Sequence, residues 1–87
     1  MSAPTNPLTT TTLTLYDVCR SIATTCPPLG APPEQIARWF EYCVRLLAPI
    51  TRDRSHPEHH EAVEMAAKYS HDALATREAA RVNGAAR

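Results

Sequence analysis

The sequence predicts an all-α protein, a small three-helix bundle. Apolar residues recur every three or four positions in three segments, and nothing suggests strands. A link with four prolines and a charged turn separate these segments. With 87 residues the chain forms one domain at most. The predicted helices are 14–25, 33–49 and 55–82, in a single helical domain at 13–84 between a disordered tail at 1–12 and a short tail at 85–87.

The first helix is predicted from its two ends. Thr14 has the residue type and the position of an N-cap, whose side chain accepts a hydrogen bond from the first turn. Pro27 and Pro28 end the helix, because the residue before a proline is pushed out of the α region. The preceding residues 1–12 are mostly Thr and Pro and bury too little apolar surface to offset the entropy of ordering them.

The central helix organises the rest of the chain. Pro33 suits its first turn, and Pro49 is predicted to end it. Its apolar residues cover more than half of its circumference, so it needs neighbours on several sides. Its charged residues fall in one narrow row, which we predict to face solvent. That row is Glu34, Arg38, Glu41 and Arg45.

The third helix has the clearest start signal in the chain. Ser55 and Glu58 are three residues apart, as in a capping box, which predicts a helix start at Ser55. Nothing breaks the pattern before Asn83 and Gly84, a C-cap pair, so the helix should end near Val82. Mostly small side chains on its inward row allow close helix packing. The predicted inward row is Ala62, Ala66, Tyr69, Ala73, Thr76 and Ala80.

The third helix is longer than its neighbours. At 1.5 Å per residue it spans about 40 Å, against about 27 Å for the central helix and about 18 Å for the first. A monomer would therefore leave the alanine-rich end from Ala73 to Val82 without a partner. Together with the surplus apolar surface of the central helix, this predicts a helical homodimer.

Composition limits the partner and the compartment. Nine basic and nine acidic side chains give a formal charge of zero, so no long-range field attracts nucleic acid or anionic lipid. Three cysteines without tight spacing favour a reducing compartment. The N-terminus lacks a signal-peptide pattern, and no apolar run reaches the length of a membrane span. We predict a soluble cytoplasmic protein that binds protein rather than membrane or nucleic acid.

A histidine-rich segment offers a metal or a pH-sensing alternative. His56, His59, His60 and His71 lie within 16 residues among carboxylates. His60 and Glu64, four residues apart, can reach one ion, whereas His71 is about 16 Å further along the helix axis. The sequence therefore predicts no metal site, with His60 and Glu64 as the alternative pair and solvated or capping histidines as the simpler interpretation.

Catalytic motifs are missing from the sequence. Two glycines are too few for a phosphate-binding loop, and there is no nucleophile elbow or paired-carboxylate motif. Cys43 lies on an apolar face of the central helix and is predicted to be a core residue. The sequence allows a disulfide between Cys19 and Cys26 but does not predict one. We predict a protein that is not an enzyme and needs no cofactor.

The central helix has two apolar faces, and the candidate binding surface is the one that does not carry Cys43. Trp39, Tyr42 and Leu46, flanked by Arg38 and Arg45, have the composition of an interface hot spot, in which aromatic residues and arginine dominate. The alternative is that the other helices cover this face and that Trp39 belongs to the core.

The predicted function is that of a protein-protein interaction module. It would be a small inhibitor or accessory protein, of phage or mobile-element type such as an anti-defence protein, that blocks a larger assembly. That assignment rests on an association with small helical proteins. The alternative is a metal-responsive, pH-responsive or DNA-binding transcriptional regulator. Its basic residues would be Arg52, Arg54, Arg77, Arg81 and Arg87, although acidic residues interleave them.

Overall fold

The structure, a computed structural model, describes residues 13–85 and the side chains of residues 13–83. It consists of α1 (Leu15–Thr25), α2 (Pro33–Thr51) and α3 (His59–Ala85), and residues 13–85 contain no strand. Helix α2 packs against both α1 and α3. The predicted all-α fold of three packed helices is therefore confirmed. The predicted tail at 1–12 lies outside the described residues, as do residues 86 and 87.

Helix α1 begins with a complete capping box. The Thr14 side chain accepts a hydrogen bond from the Asp17 backbone N–H at 3.2 Å. The Asp17 carboxylate accepts one in return from the Thr14 backbone N–H at 3.3 Å. The helix ends at Thr25, with Cys26 as the C-cap before Pro27. Both predicted ends of this helix are confirmed, because the signals that set them are local.

The proline-rich link makes one tight turn between α1 and α2. The Ala31 N–H donates to the Pro28 carbonyl at 3.1 Å, with Leu29 and Gly30 at the turn's centre. Gly30 has φ +84°, which an L side chain rarely adopts and which a type II turn requires at this position. The Leu29 side chain is fully exposed at the tip.

Helix α2 continues past Pro49 to Thr51, so the predicted end at Pro49 is wrong by two residues. Pro49 lacks the N–H that would bond to the carbonyl of Arg45, four residues earlier. Only this one hydrogen bond is affected near the helix end. The Arg52 N–H still donates to the Ala48 carbonyl at 2.9 Å and completes the last turn.

The predicted start of the third helix at Ser55 is also wrong, because α3 begins at His59. The Ser55 hydroxyl donates instead to the Asp53 carboxylate at 2.6 Å, which forms a local turn. The Glu58 carboxylate accepts from the backbone N–H of Leu15 at 2.7 Å. Both members of the expected capping box are thus bound to other groups.

A small apolar core lies where the three helices meet. It has contributions from every helix, and no charged or polar side chain is buried among residues 13–83. Trp39, Leu46 and Tyr69 are half-buried around it. Burying a leucine or isoleucine side chain is worth about 1.5–3 kcal/mol, so these few residues hold the bundle together. The core residues are Val18, Ile22, Cys43, Leu47, Ile50 and Ala62.

The inward row predicted for the third helix is confirmed. Ala62 and Ala73 are buried, and the other four residues of the row are half-buried. Helix α3 extends to Ala85, so the predicted end near Val82 is wrong by three residues. Asn83 and Gly84 are part of the helix and do not cap it. No helix among residues 13–85 is both long enough and apolar enough to cross a membrane.

Candidate functional site

The predicted binding residues lie along one side of α2, but they differ in exposure. Tyr42 is 37% exposed, Arg45 is exposed, and the Arg38 side chain is 65% exposed. Trp39 and Leu46 are half-buried and pack against the core. The side of α2 therefore has an outer part that a partner can reach and an inner part that supports it.

Trp39 connects the three helices. Its indole N–H donates to the Thr25 hydroxyl of α1 at 3.1 Å. Its ring centroid lies 5.3 Å from that of Phe40 and 6.2 Å, edge to face, from that of Tyr69 of α3. Such aromatic pairs add about 0.5–1.5 kcal/mol beyond the area that they bury. Trp39 thus serves the fold, and a direct role for it in partner binding stays a prediction.

Tyr42 and Arg45 form the exposed centre of this surface. The guanidinium carbon of Arg45 lies 5.7 Å from the centroid of the Tyr42 ring, within the range of a cation–π interaction. The ring therefore restrains the arginine side chain before any partner arrives. A restrained arginine loses less conformational entropy on binding.

The charged row of α2 is mostly exposed, as predicted, but two of its members also bind a residue of α3. Arg77 of α3 donates to the carboxylate of Glu34 at 3.1 Å and to that of Glu41 through its other terminal nitrogen. The Arg77 hydrogen bond holds the pKa of Glu41 below its ordinary value. Burial opposes this, and the charges of Arg77, Arg45 and Arg38 add smaller lowering effects. The same two carboxylates raise the pKa of Arg77.

Sequence reasoning missed this role of Arg77. The sequence interpretation placed Arg77 in a basic group for nucleic acid. Arg77 lies four residues after Ala73 of the inward row, so its spacing already indicated that it is on the side of the helix that meets the other helices. Because Arg77 is bound to Glu34 and Glu41, and Arg81 to Glu78, that basic group loses two of its members.

A shallow groove of about 370 Å³ lies on α2 next to Arg45. Val44 and Ala48, both half-buried, form its apolar part, while Arg45 and Arg52 stand beside them. Within residues 13–85, neither arginine has a carboxylate partner within 4.0 Å. The groove thus combines apolar surface with two arginines whose hydrogen-bonding capacity is available.

The histidines serve mainly structural contacts. His60 Nε2 lies 3.0 Å from a Glu64 carboxylate oxygen on the exposed side of α3, and His59 Nδ1 lies 3.2 Å from the Ile50 carbonyl. Among residues 13–85, no three His, Cys, Asp or Glu side chains are grouped as a metal site requires. The alternative metal pair, His60 and Glu64, therefore lacks a third protein ligand in this part of the chain.

His56 and Glu58 hold the start of α1, a role that sequence reasoning also missed. His56 Nε2 lies 2.6 Å from the Leu13 carbonyl, and His56 Nδ1 accepts from the Glu58 N–H at 2.9 Å. The Glu58 carboxylate bonds to the Leu15 N–H, where a negative charge also favours the positive end of the helix. We call these two residues the α1 clamp. They join groups 43 positions apart in sequence.

The three cysteines are free and differ in access. Cys43 is buried in the core, as predicted, whereas Cys19 and Cys26 are exposed. Burial, with a smaller contribution from Cys26, raises the pKa of the Cys43 thiol to about 11. A nucleophile must be a thiolate, so the folded chain keeps Cys43 unreactive at neutral pH.

Comparisons with protein-family models, curated proteins and solved structures give no match to this chain.

Proposed function

We propose that this protein is a non-enzymatic protein-binding module whose contact surface is the exposed side of α2. The observation that carries the proposal is the exposed Tyr42 ring with the Arg45 guanidinium over it. Tyrosine and arginine are two of the three residue types that most often dominate binding energy at interfaces. Arg38, one turn before Tyr42, extends the same surface.

The residues beneath this surface support the proposal. Trp39 and Leu46 are packed against the core, and Trp39 is also fixed by its hydrogen bond to Thr25. A surface on a packed helix changes little on binding, so a partner meets Tyr42 and Arg45 already in place. An inhibitor or accessory protein of phage or mobile-element type that blocks a larger assembly fits such a rigid surface, by association with other small helical proteins.

Self-association through α3 is the second part of the proposal. Arg77 contacts Glu34 in the first turn of α2, so the last two turns of α3 extend past the start of α2. Val82 lies on that extension and is 52% exposed, and Leu74 lies just before it and is 70% exposed. Exposed apolar side chains of this size on a helix favour a second helix as cover, and a two-fold dimer supplies one.

A peptide selection tests the binding proposal. The full chain is immobilised, and binders are selected from a random 12-residue phage-displayed library. We expect binding of the selected peptides to fall at least tenfold with the Tyr42→Ala/Arg45→Ala variant. The matched control is Tyr16→Ala/Arg20→Ala, which removes an exposed tyrosine and an exposed arginine from α1. These two residues are four positions apart, against three for Tyr42 and Arg45. Selection of no peptide, or equal loss with both variants, would overturn the proposed function.

A further inference from the structure

The geometry points to an acidic peptide segment with aliphatic side chains as the ligand of the groove beside Arg45 and Arg52. This inference rests on the proposed function and gives its partner a chemistry. The segment's aliphatic groups lie on Val44 and Ala48, and two of its carboxylates bind the two arginines. The groove thereby extends the surface of Tyr42 around α2 towards its C-terminal end.

The charge of this surface follows from the ion pairs of Arg77. In sequence, the acidic residues of α2 alternate with the basic ones, which looks neutral. In the structure, Arg77 joins this row, and together with Arg38, which lies 4.0 Å from Glu34, it balances the charges of Glu34 and Glu41. Arg45 and Arg52 then present positive charge without a partner among residues 13–85.

Neighbouring carboxylates among residues 13–83 form no direct ion pair with Arg45 or Arg52. Asp53 follows Arg52, but its carboxylate accepts hydrogen bonds from both the backbone N–H and the hydroxyl of Ser55, at 3.0 and 2.6 Å. These bonds hold the pKa of Asp53 below its ordinary value and keep its carboxylate on Ser55. The negative charge of Asp53 stays close to Arg52, and the positive charge of Arg54 in the same turn offsets it. The Arg45 guanidinium lies over the Tyr42 ring and forms no ion pair within 4.0 Å in the described part of the chain, although it is close enough to Glu41 to help lower the pKa of that carboxyl.

The spacing of the two arginines defines the ligand. Arg45 and Arg52 are seven residues apart, so they lie on nearly the same side of the helix, about 10 Å apart along its axis. Carboxylates two turns apart on an acidic helix, or a few residues apart on an extended chain, have a matching separation. Arginine binds carboxylates with two parallel hydrogen bonds, which makes such a pair selective.

The apolar part of the groove favours a peptide over a nucleic acid. A phosphate backbone gains affinity from many successive basic contacts, and this groove offers two. Val44 and Ala48 offer no hydrogen bond through their side chains, yet they can cover the methyl groups of leucine, isoleucine or valine. The chain's formal charge of zero adds no long-range attraction for a polyanion.

The test uses the peptides selected on the full chain, as described for the proposed function. We expect those peptides to be enriched in Asp or Glu together with Leu, Ile or Val. Their binding should weaken at least tenfold with Arg45→Gln/Arg52→Gln and by a similar factor between 50 mM and 500 mM NaCl. The control Arg20→Gln/Lys68→Gln removes the same charge from α1 and α3 and should change binding less than twofold. Circular dichroism confirms that every variant is folded.

Each result separates this inference from the proposed function. Selected peptides that lack acidic residues, or that bind the Arg45→Gln/Arg52→Gln variant with unchanged affinity, would overturn the inference. If those peptides no longer bound the Tyr42→Ala/Arg45→Ala variant, the proposed function would still be supported. A single Arg52→Gln variant decides whether the groove itself is used, since Arg45 belongs to both surfaces. Displacement of the peptides by a 20-nucleotide single-stranded DNA at equal concentration would overturn the inference in favour of phosphate binding.

Discussion

Arg77 of α3 binds the carboxylates of both Glu34 and Glu41, which lie seven residues apart on α2. One arginine therefore sets the register between the two longest helices. It also pairs with two acidic groups on the exposed side of α2, whose side chains stay 58% and 44% exposed. The same contact thus contributes to the fold and determines the charge of the proposed binding surface.

The first prediction concerns the pH dependence of this contact. The folded-state pKa of Glu41 is depressed, so its contribution to stability is present at neutral pH and is lost as the pH falls through that value. We expect Arg77→Gln to lower the melting temperature at pH 7 and to have a progressively smaller effect as the pH falls through the depressed pKa of Glu41. The control Arg81→Gln breaks an exposed pair within α3 and should have little effect over the same pH range. An Arg77→Gln effect that does not shrink as the pH falls would contradict the assignment.

The second prediction concerns the α1 clamp. Glu58→Gln weakens a charge-assisted bond to the Leu15 N–H, and His56→Ala leaves the Leu13 carbonyl without its partner. We expect each variant to reduce the free energy of unfolding by about 1–3 kcal/mol in urea titrations. The controls His60→Ala and Glu64→Gln affect an exposed pair, so they should stay within about 0.5 kcal/mol. Equal effects of clamp and control variants would refute the clamp.

The third prediction concerns thiol access. Cys19 and Cys26 are exposed, whereas Cys43 is buried and its pKa is raised to about 11. At pH 7.5 we expect iodoacetamide to label two cysteines of the folded protein, with Cys43 labelled only after denaturation. Mass spectrometry of the intact chain and of its proteolytic fragments reads this directly. Labelling of all three at similar rates would show that the core is open.

The fourth prediction compares two leucines of different exposure. Leu47 is fully buried in α2, and Leu74 is 70% exposed on α3. Leu47→Ala should reduce the free energy of unfolding by about 2–5 kcal/mol, because it removes transfer free energy and leaves a cavity. Leu74→Ala should cost less than about 0.5 kcal/mol at concentrations where the chain is monomeric. A similar cost at both positions would argue against this packing.

The fifth prediction concerns self-association. We expect the full chain to sediment at twice its mass of 9.6 kDa at micromolar concentration. The double variant Leu74→Glu/Val82→Glu should sediment as a monomer, since it places charge on the exposed apolar side of α3. The control Lys68→Glu/Asn83→Glu adds charge to α3 at exposed polar residues and should leave the mass unchanged. A wild-type mass of one chain at these concentrations would refute the dimer.

Local sequence signals predicted most of the fold. The cap at Thr14, the proline stop after Thr25 and the inward row of α3 depend on residues within a few positions of one another, and each was confirmed. The predicted helix start at Ser55 was wrong because the Glu58 carboxylate binds the Leu15 N–H, which lies 43 positions away in the sequence. The end at Pro49 failed because a proline near a helix terminus removes only one hydrogen bond.

The candidate site was less accessible to sequence reasoning. Helical spacing brought Tyr42 and Arg45 together correctly on one side of α2, and their cation–π contact agrees with it. The spacing did not show that Arg77 would take Glu34 and Glu41, because pairing between helices depends on how they are rotated and aligned. The difference between a neutral row and a positive surface depends on that alignment.

Helix α1 is attached to the rest of the molecule in an uneven way. Its beginning is held by the α1 clamp. Its end is held by the hydrogen bond that the Trp39 indole donates to Thr25 and by the stiff link that follows. Losing the clamp would leave the packing of Val18 and Ile22 to hold the middle of α1, so α1 would separate more often about that link while α2 and α3 remain docked. Such an opening exposes the thiol of Cys43, which packs in the same core as Val18 and Ile22. The rate of Cys43 alkylation under native conditions therefore measures how often α1 separates.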